Sequence, residues 1–89
     1  MKAIHLVIHG RVQGVFFRKC TFDKANEIGL KGMVRNLPNG DVEIVVEGDE
    51  NMLKEFVKWC YKGSPASKVE KIELIDVAIF GYEKFAIER

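Results

Sequence analysis

The chain has 89 residues, 47 % hydrophobic and 30 % charged, which predicts a single globular domain over residues 1–89 and excludes disorder. Its 14 basic and 13 acidic residues leave a net charge of +1, without the basic excess of a dedicated nucleic-acid binder. No apolar run approaches a membrane span, and "MKAIHLVIHG" lacks the apolar length and small-residue cleavage site of a secretory signal, so a cytoplasmic protein with no membrane or nucleic-acid partner is expected.

The first element is a strand. In Ala3–Ile8 the residues Ile4, Leu6 and Ile8 alternate with His5 and Val7, and His9 continues the polar face. A loop from His9 to Phe17 leads to a helix over Lys19–Ile28, whose inner face carries Thr21, Phe22, Ala25 and Ile28 and which Gly29 stops. Two β-rich runs, Gly32–Leu37 and Asp41–Glu47, flank Pro38-Asn39-Gly40 and read as a hairpin. Leu53, Phe56, Val57 and Cys60 recur at helical spacing; Asp49 is the expected N-cap, and Gly63-Ser64-Pro65 ends this second helix. "KVEKIELIDVAIF" reads as a fourth strand and Lys84–Ile87 as a short fifth.

The order strand, helix, strand, strand, helix, strand is the split βαβ, ferredoxin-like arrangement of the α+β class: an antiparallel sheet with both helices on one face. The expected core strand order is 4-1-3-2, with the fifth strand at an edge. In this topology the first two strands run the same way, so the loop after the first strand and Asn36 near the end of the second meet at one rim.

That loop, "HGRVQGVFFRKC", carries the chemistry. None of Gly14, Val15, Phe16, Phe17 or Arg18 offers a capping side chain, so the unpartnered N–H groups of the first helical turn need water or an anion. Gly10 and Gly14 permit unusual dihedrals and close approach of backbone to a ligand. Backbone amides at a helix start form an anion nest, and Arg18 adds a planar cationic fork suited to phosphate. The Walker spacing G-x-x-x-x-G-K-[ST] is absent, and Val12 stands where a cysteine phosphatase would need its thiolate. A solvated surface loop is the competing reading.

"GRVQGVFFR", followed by "GMVRN", "PNGDVE" and "GSPASKVEKIE", resembles the acylphosphatase family over essentially the whole chain. The resemblance implies a ferredoxin-like fold and hydrolysis of acyl phosphates to a carboxylate and inorganic phosphate, with no metal or other cofactor. It implies that Arg18 binds phosphate and Asn36 orients water. It also implies that Arg11, Val12, Gln13, Gly14, Val15, Phe16 and Phe17 form the phosphate cradle. Two departures from the family pattern stand out: Met33 in place of a frequent tryptophan, and Phe16 in place of glycine or cysteine, where it narrows the acyl side of the pocket.

The residues support this chemistry independently. A carboxylate leaving group has a conjugate acid of pKa about 4 and needs little protonation, so a general acid can be dispensed with. Amides and a guanidinium hold and neutralise the phosphoryl group, while an asparagine, too weak a base to take a proton, can orient a water. A phosphate monoester, with its alkoxide leaving group, is a poorer match.

The other polar residues have plainer readings. His5 and His9 share a strand face without further metal ligands; Arg11 and Lys19 are steering charges; Thr21 packs inside its helix; Trp59 and Tyr61 cover the sheet. Cys20 and Cys60 lack any C-x-x-C or zinc spacing and read as reduced thiols, with a disulfide left open. An RNA-recognition module of the same topology would need aromatics on the third strand, which instead carries Glu43 and Glu47. A non-catalytic phosphate-binding or regulatory domain remains the alternative to an enzyme. Small size and balanced charge predict a monomer, and the resemblance implies a small-molecule acyl phosphate as its substrate.

Overall fold

The computed structural model describes residues 1–89. Five strands and two helices follow in the order β1 (Lys2–Arg11), α1 (Phe17–Ile28), β2 (Lys31–Asn36), β3 (Val42–Gly48), α2 (Glu50–Lys62), β4 (Lys68–Val77) and β5 (Phe85–Glu88). They form one sheet of order β4-β1-β3-β2-β5. The four core strands pair antiparallel in the expected order, but the sheet as a whole is mixed because β5 lies parallel to β2. No helix is long and apolar enough to cross a membrane.

The alternation in β1 sends Ile4, Leu6 and Ile8 into a core shared with Val34, Val42, Ile44 and Val46 of neighbouring strands and with Phe17, Ala25, Leu53 and Phe56 of the helices. His5 and His9 occupy the opposite face, where His5 Nε2 meets Glu43 Oε2 at 2.8 Å and His9 Nδ1 meets Asp41 Oδ2 at 2.9 Å. Trp59 packs between Phe17 and Phe56, with ring centroids 5.8 and 6.2 Å away, and so fixes the start of α1 against α2. Tyr61, expected to cover the sheet, is instead exposed.

Several boundaries differ from the sequence reading. β1 runs three residues further, through Gly10 to Arg11, because its register with β4 shifts between His9 and Gly10. Gly10 has φ 126°, and a β-carbon there would stand 2.1 Å from the Lys68 carbonyl oxygen. The loop therefore shrinks to Val12–Phe16. α1 begins two residues early, at Phe17, and Asp49 sits at the start of α2 without making a side-chain cap bond. β4 ends at Val77; the next residues cross to β5, held by the buried Glu47 carboxylate. It accepts N–H donations from Phe80 at 2.6 Å, Gly81 at 3.2 Å and Tyr82 at 3.0 Å.

Candidate active site

Topology brings two chain segments to one end of the sheet. Ile8 of β1 and Asn36 of β2 both pair with Val42 of the strand between them. Their backbones are thus two strand spacings apart, about 10 Å. Asn36 follows Val34 by two residues and so lies on the helix-bearing face. Its Oδ1 is buried with no hydrogen-bond partner in the protein. A buried acceptor left unpaired costs about 1–3 kcal/mol, and a strand end has no structural need for one.

The loop Val12–Phe16 is fastened by its side chains, leaving its amides unused. Val12 and Val15 are buried in the core, as is Phe17. Gln13 Nε2 donates to the Leu37 and Asp41 carbonyls, each at 2.8 Å, across the base of the β2–β3 turn. Ser64 Oγ, buried after α2, donates to the Val15 carbonyl at 2.8 Å. Outside helices and strands, none of the backbone hydrogen bonds has an amide of Val12–Phe16 as its donor. The first turn of α1 has no side-chain cap and no acidic residue. Phe16, the N-cap, adopts φ 61°, a left-handed conformation that costs an L-residue about 1–2 kcal/mol; Gly14 has φ 73°. Successive amides in such a curl converge on one side and make a concavity for an anion.

Val12, Gly14, Phe16, Phe17 and Arg18 line a cleft of about 490 Å³, together with Lys19, Ile87 and Arg89. Arg18 and Arg11 take part in none of the ion pairs of the molecule, whereas Lys19 is held by Asp23 at 2.6 Å. The structure therefore gathers Arg18 with four of the seven cradle residues around one cleft. Val15 and Gln13 serve as braces through their side chains, Arg11 is exposed at the end of β1, and Asn36 stands at the same sheet end without lining this cleft. A larger groove of about 630 Å³ lies between α1 and α2 around Trp59 and Ser64. It mixes Asp23 and Glu27 with Lys24 and Lys62, and its Gly63 and Ser67 amides are already bonded to the Trp59 and Ser64 carbonyls, so it is the poorer anion site.

Two supporting side-chain roles are not legible in the sequence. Gln13 belongs to the expected cradle, but the bracing role of its side chain depends on carbonyls more than twenty positions away. Ser64, in sequence only part of a helix stop, holds the loop through the Val15 carbonyl. Thr21 packs inside α1 as expected, its Oγ1 donating to the Phe17 carbonyl at 2.8 Å. Cys20 and Cys60 are both free thiols.

Known proteins share this fold and much of this sequence. The acylphosphatase family model matches residues 4–87. The chain is 42 % identical over 90 residues to the acylphosphatase of Methylococcus capsulatus, covering 100 % of this chain and 98 % of that one. It is 50 % identical over 70 residues to the acylphosphatase of Syntrophobacter fumaroxidans, covering 79 % and 72 % of the two chains. The crystal structure of acylphosphatase from Bacillus subtilis superposes with a TM-score of 0.98 at 39 % identity, covering 100 % of both chains. The family model over residues 4–87 and a match of sequence and fold from end to end with such relatives place this chain in the acylphosphatase family, the enzymes that hydrolyse acyl phosphates.

Proposed function

We propose that the Val12–Phe16 amides and the Arg18 guanidinium hold the phosphoryl group of the acyl phosphate, and that Asn36 orients the attacking water. The observation that carries this reading is the run of five consecutive amides without backbone acceptors, in the loop that leads into the helix carrying Arg18, an arginine free of any carboxylate. Preorganised donors of this kind are aimed at charge that develops on the phosphoryl oxygens, and they need no rearrangement during reaction. The side chains of Gln13 and Ser64 hold the loop so that its own amides stay available.

Water adds to phosphorus and the bond from phosphorus to the acyl oxygen breaks. A carboxylate departs, and the phosphate carries or releases the remaining proton. Because the leaving group is a weak base, its departure requires no general acid. The Asn36 carboxamide can accept from the water through Oδ1, the atom that lacks a partner in the protein. Its contribution is therefore one of position. The same reasoning supports turnover without a metal.

Both sheet edges are blunted: β4 carries alternating Lys and Glu, and β5 has only four residues. Edges of this kind resist pairing with another chain, which supports a monomer. With both thiols free, the reading extends to residues 1–89 acting as one cytoplasmic domain on a small molecule, with neither nucleic acid nor membrane as partner.

The test is hydrolysis of benzoyl phosphate in the presence of EDTA, beside phenyl phosphate. Turnover of the anhydride alone is expected, with most activity lost in Arg18→Ala and Asn36→Ala. Asn36→Ala keeps its inhibition by inorganic phosphate, whereas Arg18→Ala loses it, since a charge-assisted bond contributes about 1.5–3 kcal/mol and Arg18 supplies up to two. A wild-type protein that binds phosphate but turns over no anhydride would instead indicate a non-catalytic domain.

A further inference from the structure

Phe16 is the only residue other than glycine with positive φ, at 61°, and its side chain is 80 % exposed. The left-handed turn curls the loop amides, but glycine takes that conformation without strain, and an aromatic ring left in water gains no burial. A phenylalanine at such a position points to a use for its ring. Phe16 lines the cleft that contains Arg18 as an exposed wall, not as the expected constriction, and Ile87 of β5, itself 40 % exposed, lines the same cleft. The charged side chains there, Arg18, Lys19 and Arg89, are all cationic.

We propose that Phe16 and Ile87 form an apolar shelf for the acyl group of the substrate, selecting acyl phosphates whose acyl part is aromatic or bulky and apolar. This rests on the reading that the loop holds the phosphoryl group. With that group seated on the amides, the acyl part must leave the cradle along its walls, and Phe16 belongs to the cradle itself. An aromatic face favours a planar or apolar group by offset or edge contact; a methyl group offers it far less apolar surface to bury.

The experiment compares kcat/KM for benzoyl phosphate and acetyl phosphate in the wild type, Phe16→Gly, Phe16→Ala and Ile87→Ala. The readout is the benzoyl-to-acetyl ratio, because disturbance of the cradle slows both substrates alike. The ratio is expected to fall about fivefold to tenfold in both Phe16 variants, and in the same direction in Ile87→Ala. Thermal melting separates ring from strain: only Phe16→Gly gains stability, yet both Phe16 variants lose selectivity. A fall smaller than about threefold in the Phe16 variants overturns the proposal. A wild-type protein inactive on both anhydrides would overturn the phosphoryl-site reading itself.

Discussion

Replacing Gln13 by Met tests whether the brace between loop and turn matters to the chemistry. Methionine keeps the side-chain length and removes the two N–H donors that reach the Leu37 and Asp41 carbonyls at 2.8 Å. Each bond contributes about 1 kcal/mol net. The released carbonyls keep other partners, since Gly40 N–H still donates to Leu37 at 3.2 Å and Leu37 N–H to Asp41 at 2.8 Å, so no orphaned acceptor adds to the cost. The loss is therefore about 2 kcal/mol, or roughly 8–16 °C in Tm for a domain of this size. Because Leu37 directly follows Asn36, the same change loosens Asn36 relative to the amides. Misplacement by about 1 Å costs up to about a hundredfold, so kcat on benzoyl phosphate should fall at least about tenfold at 25 °C, where the variant is still folded. Inhibition by inorganic phosphate should change much less, because the amides and Arg18 move together. Circular dichroism melting and steady-state kinetics read the two effects. A lowered Tm with kcat intact would show that the brace serves stability alone, and an unchanged Tm would refute the energetic argument.

Glu47→Ala removes a buried carboxylate from three backbone donors; it should cost about 3 kcal/mol and speed hydrogen exchange at Phe80–Tyr82 before the rest of the sheet opens. At Glu43, burial opposes ionisation, but hydrogen bonds from His5 and Arg35 outweigh it and hold the carboxyl below its ordinary value. The stability it confers is thus complete above the ordinary carboxylate pKa of about 4.3 and is lost as pH falls through the lower native value. Glu43→Gln should flatten the decline of stability with acid in that range, and an unaltered slope in urea melts would count against the ion network. Burial raises the Cys60 thiol far above its ordinary pKa, so a thiol reagent at neutral pH should modify Cys20 alone in the folded protein and both cysteines in denaturant.

The features that were legible in the sequence are those that depend on local spacing. Ile4, Leu6 and Ile8 gave β1 its inner face, Pro38-Asn39-Gly40 gave the hairpin, and the order of elements gave the strand arrangement and hence the meeting of the loop with Asn36. The features that were not legible depend on distant partners. The parallel seat of β5 beside β2 rests on four residues with no pattern of their own and on Glu47 gripping the crossover from more than thirty positions away. The extension of β1 through Gly10 needed its shifted register with β4. The start of α1 at Phe17 required a phenylalanine to accept a left-handed conformation, against its intrinsic preference. At the site, Arg18 is legible from the loop and Asn36 from the family resemblance, but the fastening of the loop by Gln13 and Ser64 becomes visible only with the carbonyls they reach.

The most direct test is an amide chemical-shift titration of the ¹⁵N-labelled protein with inorganic phosphate. The amides of Val12–Phe16 and the Arg18 side chain are expected to shift together along one saturating curve, and Arg18→Ala to abolish the response. Shifts concentrated instead at Lys62–Ser67, in the groove between α1 and α2, would contradict the phosphoryl-site reading.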